Sequence, residues 1–516
     1  MSKAGGGSDP IDLNSLRKKL SRSTSEREDQ TPQPVTLNPL ARQVANQLRA
    51  TSHSPNIVIG QLRLLEFAVL AVMGIVVNAI EVPDAITSKL ALIGMCICNA
   101  VICATMLQLT DAYQLPNLRR ALQTMARVQG ALLASFALTC LLTTLLPVGI
   151  LSWKTFGIWY GASAVFLFIE RIIVGLMIRH WGRNGVMERR AVIVGGGQSA
   201  KELIRSLEHH DNDIRICGIF DDRKSARSPD VVAGYPKLGT FAELVEFARL
   251  TKLDMLIISI PMSAEARILE LIRQLWVLPV DIRIAAHANK LRFRPRSYSH
   301  IGSVPMLDVM DKPIRDWDFV AKRTFDIVFS IICIALLWPI MLAAAVAVKS
   351  TSKGPVLFKQ KRHGFNNETI NIWKFRSMYV EMSDPTAKMA VTKNDPRVTP
   401  VGRFLRKSSI DELPQLFNVL AGDLSLVGPR PHAIHAQTGD LKYTEVVEHY
   451  FARHKVKPGV TGWAQINGWR GEIDHDDKIK NRTAHDLYYI ENWSLLLDLK
   501  ILILTPIRLL KSENAY

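Results

Sequence analysis

The 516-residue sequence contains few cysteines, and their arrangement excludes two kinds of site. Neither a disulfide framework nor the ligand spacing of a structural zinc site is recognisable. Most of the cysteines lie in apolar runs without a nearby histidine, so we expect buried thiols. The six are Cys96, Cys98, Cys103, Cys140, Cys217 and Cys333.

Acidic residues are scarce relative to basic ones: 47 Asp and Glu stand against 64 Lys and Arg, with a net charge of +17. Such an excess predicts acidic partners, usually nucleic acid or anionic membrane. Because long apolar stretches accompany the charge, we expect membrane phospholipid and no nucleic acid. The first apolar run begins only near Leu62, so no cleavable signal peptide is expected. Residues 1–58 are predicted to be a disordered cytoplasmic tail.

Four apolar segments follow, each near the length that crosses a bilayer, at residues 62–80, 90–106, 128–148 and 156–178. Basic residues concentrate before the first segment, in the second loop and after the fourth segment. The positive-inside rule therefore places both ends of a four-helix bundle, residues 59–180, in the cytoplasm. Charged residues in or near the segments predict an intramembrane site or, alternatively, snorkelling to the interface or pairing within the bundle; they are Arg63, Glu66, Glu170 and Arg171.

Residues 188–310 have the pattern of a doubly wound α/β module. Gly195, Gly197 and Ala200 match G-x-G-x-x-A between an apolar strand and a helix, and Asp221 ends the next apparent strand. This motif is typical of a dinucleotide or nucleotide-sugar site, but alone it is weak. A degenerate Rossmann-like module used for packing or regulation is the favoured alternative. No tyrosine has a lysine four residues later, which argues against a nucleotide-sugar dehydratase or epimerase.

Residues 327–348 contain no charge and have the length of a fifth crossing. However, basic residues flank both ends, including Lys322 before and Lys353 after, and Pro339 lies near the middle. A re-entrant helix that enters one leaflet, breaks near Pro339 and returns fits both observations. A kinked crossing is the alternative. The closing apolar stretch predicts an amphipathic helix on the membrane surface, with a core helix as its alternative.

Two adjacent acids, Asp411 and Glu412, are expected in the first turn of an amphipathic helix, where the helix dipole favours ionised carboxylates. Basic residues surround them in sequence, an arrangement that suits a phosphorylated, metal-bound substrate. An ionised aspartate can act as a nucleophile or a metal ligand. Alternatively, Ser409 and Glu412 form a capping box, and the role of Glu412 is structural.

Lys374 and Arg376 are two residues apart, so in an extended segment they share one face and can clamp a diphosphate. A solvated strand face is the alternative. The Gly-rich segment 453–472 adds further cations and indoles. The candidate substrate- or phosphate-binding residues are Lys374, Arg376, Arg403, Arg406, Arg430, Arg453 and Lys457.

Residues 320–516 resemble the catalytic domain of the monotopic phosphoglycosyl transferases, a bacterial sugar transferase family. The matching stretches are KRTFD, KSTSKGPVLFKQKRHG, KFRSM, SSIDELPQL, GDLSLVGPRP, KPGVTGWAQINGWRGE and a terminal NAY. The four upstream segments and the Rossmann-like module resemble the large members of this family. The resemblance predicts an α+β membrane protein with a transmembrane four-helix bundle and a CoA-binding-like cytoplasmic module. It also predicts a mostly helical monotopic domain, residues 318–516, with a re-entrant helix.

The resemblance implies transfer of a hexose 1-phosphate from a UDP-sugar to undecaprenyl phosphate, with release of UMP. The sugar is glucose by resemblance, with galactose as the alternative, and the product starts a repeat unit of exopolysaccharide or capsule. The resemblance further implies that a covalent phosphosugar forms on Asp411 beside Glu412, and that Mg²⁺ binds at Asp411. By the same resemblance Arg430 belongs to the GPRP motif, Lys457 to the KPG motif, and Pro339 to the helix break.

The resemblance also predicts a location in the bacterial inner membrane, with the catalytic domain on the cytoplasmic face. A homodimer is the candidate oligomer. The ligand of the Rossmann-like module is left open.

Overall fold

The architecture comes from a computed structural model. It describes residues 37–48, 54–81, 89–145, 153–183, 187–208, 214–223, 229–285, 299–301, 304–382, 395–432, 437–438, 441–442, 447, 450–471 and 476–511. Within these ranges the chain forms a helical bundle, a Rossmann-like module and a C-terminal domain made mostly of helices. The predicted mixed α/β class with membrane-length helices is confirmed.

A short helix, α1 (Pro39–Gln47), lies within the predicted disordered tail. Asn38 caps it by accepting a hydrogen bond from the Leu40 amide at 3.1 Å. Its face with Ala41 and Ala45 packs into the core of the Rossmann-like module. The prediction of disorder is therefore wrong for this segment, because an apolar face spaced by four residues has a partner elsewhere in the chain. The first 36 residues lie outside the described ranges.

The bundle contains four long helices and one short one. They are α2 (Pro55–Glu81), α3 (Lys89–Leu109), the short α4 (Leu115–Arg119), α5 (Ala121–Leu145) and α6 (Trp153–Arg183). All four long helices are long and apolar enough to cross a membrane. The buried Trp159 ring contacts Phe136 and Phe156 edge-to-face, with centroids 4.8 and 5.9 Å apart.

The charged residues of the bundle pair with one another. The Arg171 guanidinium lies 2.8 Å from Glu66, and the Tyr113 hydroxyl donates to the same carboxylate at 2.6 Å. Arg63 and Arg171 both lie over the Tyr113 ring. Of the alternatives for these charges, the structure shows pairing within the bundle.

The Rossmann-like module follows with eight strands and three helices. They are β1 (Arg189–Val194), α7 (Gln198–Glu208), β2 (Ile214–Phe220), β3 (Val231–Val232), β4 (Tyr235–Gly239), α8 (Phe241–Leu250), β5 (Met255–Ile258), α9 (Glu265–Leu275), β6 (Asp281–Ala285), β7 (Ser299–Ile301) and β8 (Val304–Met310). The sheet order is β3-β4-β2-β1-β5-β6-β8-β7. Strands β4, β2, β1, β5 and β6 are parallel, and apolar cores cover both faces of the sheet. This is a doubly wound arrangement.

Contacts across the bundle place its two ends on the same side. Helix α1 precedes the bundle yet packs on the module that follows it, and Arg190 of β1 donates to the Leu48 carbonyl. Asn56, at the start of α2, donates to Asp316 at 2.7 Å. An even number of crossings between these points is required, which agrees with four crossing helices.

A fifth helix, α10 (Asp316–Thr351), is also long and apolar enough to cross a membrane. Pro339 lies inside it, and the helix continues on both sides as one element. The helix is therefore not divided into two elements at Pro339, whereas a bend of its axis at this proline stays a prediction. Proline removes one backbone hydrogen bond, and the remaining bonds are hard to give up in an apolar environment.

The C-terminal domain continues with short strands and helices. They are β9 (Leu357–His363), β10 (Thr369–Phe375), α11 (Pro400–Ser408), α12 (Gln415–Ala421), β11 (Ser425–Val427), β12 (Gln437–Thr438), β13 (Leu441–Lys442), β14 (Gly459–Thr461), α13 (Trp463–Ile466), α14 (Asp476–Glu491) and α15 (Leu495–Lys511). Strands β9 and β10 form an antiparallel hairpin, and β11 pairs in parallel with β14. Helix α15 buries Asp498 and Ile501 while it exposes Leu496 and Ile503.

A buried ionic network fastens α10 to α15. The Lys322 ammonium lies 2.7 Å from Asp498 and 3.1 Å from Asp326. The Ser425 hydroxyl donates to Asp326 at 3.0 Å, and the Tyr489 hydroxyl donates to Asp498 at 2.8 Å. Because every charge has an opposite partner, the two long helices are held in one fixed arrangement.

Candidate active site

Asp411 and Glu412 lie in a 3₁₀ turn, Ile410–Glu412, between α11 and α12. Ser409 ends α11 with a φ of 61°, a left-handed conformation that few non-glycine residues adopt. Pro414 stands immediately before α12, where its missing N–H breaks no helical hydrogen bond. Ser409 separates the acids from α11, and Pro414 separates them from α12. The prediction that both acids share the first turn of one amphipathic helix is therefore wrong.

Glu412 is fully paired. Its Oε1 atom lies 2.8 Å from the Lys374 ammonium and 2.5 Å from Arg430 Nη2, and its Oε2 atom accepts from Arg430 Nη1 at 3.1 Å. Although burial alone would raise the pKa of Glu412, Arg430 and Lys374 hold it well below its usual value. Glu412 is therefore a permanent anion that orients two cations. The capping-box alternative is wrong, since the Ser409 side chain makes no capping hydrogen bond.

Asp411 differs from Glu412 in its partners and in the direction of its pKa shift. Its side chain is buried, with 8% exposed, yet the structure shows no hydrogen bond or ion pair to its carboxylate among the residues described. Burial raises the pKa of Asp411 to about 6, an effect that Lys374 opposes and the Glu412 charge reinforces. At neutral pH the carboxylate is mostly ionised and poorly solvated. Those properties suit a nucleophile or a metal ligand.

Of the seven predicted phosphate-binding residues, the structure brings three close to the acids. Lys374 and Arg430 contact Glu412 directly, and the positive charge of Arg406 lowers the pKa of Asp411. Arg403 is exposed on α11. Whether these side chains bind phosphate stays a prediction.

The remaining three hold the backbone together instead. Arg376 donates to the Lys353 and Ser352 carbonyls beyond the end of α10, and Lys457 donates to the Gly422 carbonyl at 2.6 Å. The predicted clamp of Lys374 with Arg376 is therefore wrong. Strand β10 ends at the residue before Arg376, so the alternation that would place both on one face stops there.

Arg453 is a buried positioning residue. Its guanidinium lies 2.6 Å from Asp486 and donates to the Arg430 carbonyl at 2.6 Å. It therefore supports the loop that carries Arg430. The sequence offered no signal for Asp486 as its partner, because the two residues are 33 positions apart and belong to different elements.

Arg470 is a site residue that sequence reasoning did not single out. It donates to the Ser409 hydroxyl, and its charge lies close enough to Arg430, Glu412 and Asp411 to interact with them. The signal in the sequence was the position of Arg470 in the Gly-rich segment. The left-handed Ser409 that accepts its hydrogen bond is visible only in the structure.

The glycine turn of the Rossmann-like module is occupied by a side chain of the module itself. Asp221 accepts from the Gly196 amide at 2.7 Å and pairs with Arg223 at 2.8 Å. These contacts support packing and do not by themselves indicate a nucleotide site, so the ligand stays open.

Two family profiles match the sequence. The bacterial sugar transferase profile matches residues 317–512, which cover α10 and the C-terminal domain. A CoA-binding domain profile matches residues 108–286, from the end of α3 to just beyond β6. Asp411 and Glu412 lie within the bacterial sugar transferase match.

Three relatives illustrate the extent of the similarity. A UDP-glucose:undecaprenyl-phosphate glucose-1-phosphate transferase of Xanthomonas campestris pv. campestris is 36% identical over 420 residues, 81% of this chain and 86% of the relative. The exopolysaccharide production protein PSS of Rhizobium leguminosarum bv. phaseoli is 46% identical over 190 residues, 37% of this chain and 95% of that protein. A UDP-N-acetylgalactosamine-undecaprenyl-phosphate N-acetylgalactosaminephosphotransferase of Aeromonas hydrophila is 46% identical over 185 residues, 36% of this chain and 42% of that protein.

Proposed function

The chain belongs to the bacterial sugar transferase family, and from this premise we propose that it transfers glucose 1-phosphate from UDP-glucose to undecaprenyl phosphate, releasing UMP. The observation that carries the proposal is the division of the acidic pair. Glu412 holds Lys374 and Arg430 in place, while Asp411 keeps a carboxylate without a partner among the described residues. Phosphoryl transfer requires this combination of a positioned attacking oxygen and fixed positive charge.

The reaction proceeds in two displacements. An Asp411 carboxylate oxygen attacks the β-phosphorus of UDP-glucose, the bond from that phosphorus to the bridging oxygen breaks, and UMP leaves with the electron pair. A phosphate oxygen of the lipid then attacks the same phosphorus and displaces the Asp411 carboxylate. Lys374 and Arg430 are positioned to stabilise charge on the phosphoryl oxygens during both steps.

Mg²⁺ fits the donor atoms at this site. Magnesium commonly binds through one or two carboxylates together with substrate phosphate oxygens and water. Asp411 supplies one carboxylate, while both oxygens of Glu412 are already engaged by Lys374 and Arg430. When bound, the ion would neutralise charge on the diphosphate. No group of three or more acidic, His or Cys ligands occurs in the described ranges, which agrees with a site completed by substrate.

A re-entrant placement of α10 is supported by contacts at both of its ends. Near its start, Arg323 donates to the Val419 and Leu420 carbonyls at 2.6 and 2.7 Å. Near its end, Val348 packs with Leu405 of α11. A helix whose two ends contact one small domain keeps that domain on one side of the bilayer. Together with the positive-inside bias, this supports a domain on the cytoplasmic face of the inner membrane.

The choice of glucose rests on the names of relatives such as the Xanthomonas protein. N-acetylgalactosamine is a second candidate because the Aeromonas relative is named for it. Galactose, and homodimer formation, stay predictions of the resemblance. The name of the Rhizobium relative supports a role in starting exopolysaccharide synthesis, and capsule synthesis is the related possibility.

The test uses the full-length protein in nanodiscs with undecaprenyl phosphate, Mg²⁺ and a panel of UDP-glucose, UDP-galactose and UDP-N-acetylgalactosamine. We expect UMP release and a glucosylated lipid diphosphate with UDP-glucose, and neither from Asp411→Asn. A protein that is folded yet releases no UMP from any of the three donors would refute the proposal. Preference for another sugar would correct the donor alone.

A further inference from the structure

A cavity of about 620 Å³ lies beside the acidic pair, between α10, α12 and α15. Most of its lining is apolar and includes Cys333 and Leu337 of α10 and Leu502 of α15. Glu412 and Arg470 are also part of the lining. The cavity therefore extends from the charged site to the apolar side chains of α10 and α15.

We propose that this cavity binds the lipid acceptor, a polyprenyl monophosphate, with Arg470 contacting its phosphate and the apolar walls contacting its first isoprene units. This inference rests on the transferase function proposed above and assigns the acceptor substrate to the cavity between α10, α12 and α15. A ligand for the cavity must be hydrocarbon along most of its surface and anionic near Arg470. A UDP-sugar is polar throughout and does not meet that requirement.

Two arginines line the cavity, Arg470 and Arg508, and Arg470 is the better suited to this role because its charge also interacts with Asp411 and Glu412. Lys374 and Arg430 are both paired with Glu412, whereas Arg470 donates to the neutral Ser409 hydroxyl and forms no ion pair with a carboxylate of the described residues. Its charge is therefore available to an incoming phosphate. Ser409, the partner of Arg470, has a left-handed backbone conformation that costs conformational energy for a residue other than glycine. Such strain is often kept where it positions functional groups.

The walls of the cavity continue towards lipid. Helix α10 lines the cavity with Leu337 and exposes Leu336 and Trp338 on another face, and α15 exposes Ile503 and Ile507. A long isoprenoid that leaves the cavity thus passes along apolar helix surfaces and does not need to cross water. The acceptor phosphate is thereby delivered to the site while most of its hydrocarbon chain stays in the membrane.

The first test changes the charge of Arg470 in the full-length protein. Arg470→Gln should raise the KM for undecaprenyl phosphate about 10- to 100-fold, the effect of losing a charge-assisted hydrogen bond. The KM for UDP-glucose should stay within about threefold of wild type. Arg470→Lys, which keeps the charge, should recover much of the acceptor affinity. An equal loss of affinity for both substrates would overturn the assignment.

The second test fills the cavity and has a matched control. Leu337→Trp should raise the KM for undecaprenyl phosphate at least about tenfold by occupying the space of the isoprenoid. Leu336, one residue away, is 71% exposed and does not line the cavity, so Leu336→Trp should leave the KM for undecaprenyl phosphate unchanged. Equal effects of the two variants, or no effect of either, would overturn the inference.

A single-turnover measurement separates this inference from the proposed function. UMP released from UDP-glucose in the absence of acceptor reports the first displacement alone. Leu337→Trp, which leaves every charge near Asp411 in place, should release UMP as wild type does. If this variant fails in this step while Leu336→Trp does not, the cavity serves the donor and the inference is wrong, although the enzyme remains a transferase. If wild type itself releases no UMP, the proposed function has failed instead.

Discussion

Neutralising either acid of the site should abolish transfer, but the two substitutions should change stability in opposite directions. Asp411 is ionised at neutral pH inside the protein without a partner among the described residues, whereas Glu412 is ionised and paired with Lys374 and Arg430. Asp411→Asn removes an unfavourable buried charge. Glu412→Gln leaves two half-buried cations without their carboxylate.

The magnitudes follow from these contacts. Burial raises the pKa of Asp411 from 3.8 to about 6. Protonated Asp411 therefore stabilises the fold below about pH 4, and this contribution is lost as pH rises through 6; at about 1.4 kcal/mol per unit it amounts to about 3 kcal/mol. Asp411→Asn should gain up to that amount at neutral pH. Glu412→Gln should lose about 1–3 kcal/mol, because Lys374 and Arg430 are only partly buried and lose a charged partner.

Thermal melting of the detergent-solubilised full-length protein measures both effects. For a domain of this size, about 1 kcal/mol corresponds to roughly 2–4 °C. Near pH 7.5, Asp411→Asn should therefore melt several degrees above wild type, and Glu412→Gln several degrees below it. Near pH 4.5 the advantage of Asp411→Asn should shrink, because wild-type Asp411 is then protonated. A stability gain that does not change with pH, or two variants that shift melting in the same direction, would refute this account of the acidic pair.

Four further results are expected. Initial rates of UMP release should fall as pH is lowered and Asp411 is protonated, with a midpoint that Mg²⁺ at Asp411 would move below the metal-free pKa of about 6, and a flat profile down to about pH 4 would contradict its role as nucleophile. Arg453→Met should destabilise the protein by about 3–5 kcal/mol because Asp486 loses its buried partner, so an unchanged melting temperature would show that the pair contributes little. EDTA should stop UMP release and Mg²⁺ should restore it; full activity in EDTA would remove the metal from the proposal. Cysteines placed at Asp318 and Lys353 in a cysteine-free background should both resist an impermeant thiol reagent in intact cells and react after permeabilisation, whereas labelling of one alone in intact cells would indicate a true crossing by α10.

The sequence predicted the long-range organisation well because hydropathy and strand–turn–helix patterns are local signals. The four helices long and apolar enough to cross a membrane have the expected order, and the parallel sheet has its glycine turn at Gly195. Helix α1 was missed because its apolar face is short and its partner lies about 200 residues further on. Local composition carries no information about such a partner.

Within the site, sequence reasoning identified the acids and three of the cations near them, Lys374, Arg406 and Arg430, but not the division of roles between Asp411 and Glu412. Lys374 and Arg430 reach Glu412 from 38 and 18 residues away, and periodicity cannot specify such contacts. Arg376 and Arg453 carry the same charge but bind backbone carbonyls, because guanidinium groups serve equally well as structural donors and as ligands for phosphate.

The docking of α1 on the Rossmann-like module also sets an order of events during synthesis. Helix α1 leaves the ribosome about 200 residues before Phe241 and Phe247, two of the aromatic residues of the core it joins. At roughly 5–20 residues per second, its apolar face waits about 10–40 s for that partner while the four long helices of the bundle are synthesised. The segment therefore closes only after the bundle is in place, so a polypeptide with an inverted or missing helix should be left with α1 uncovered and recognisable to chaperones and proteases.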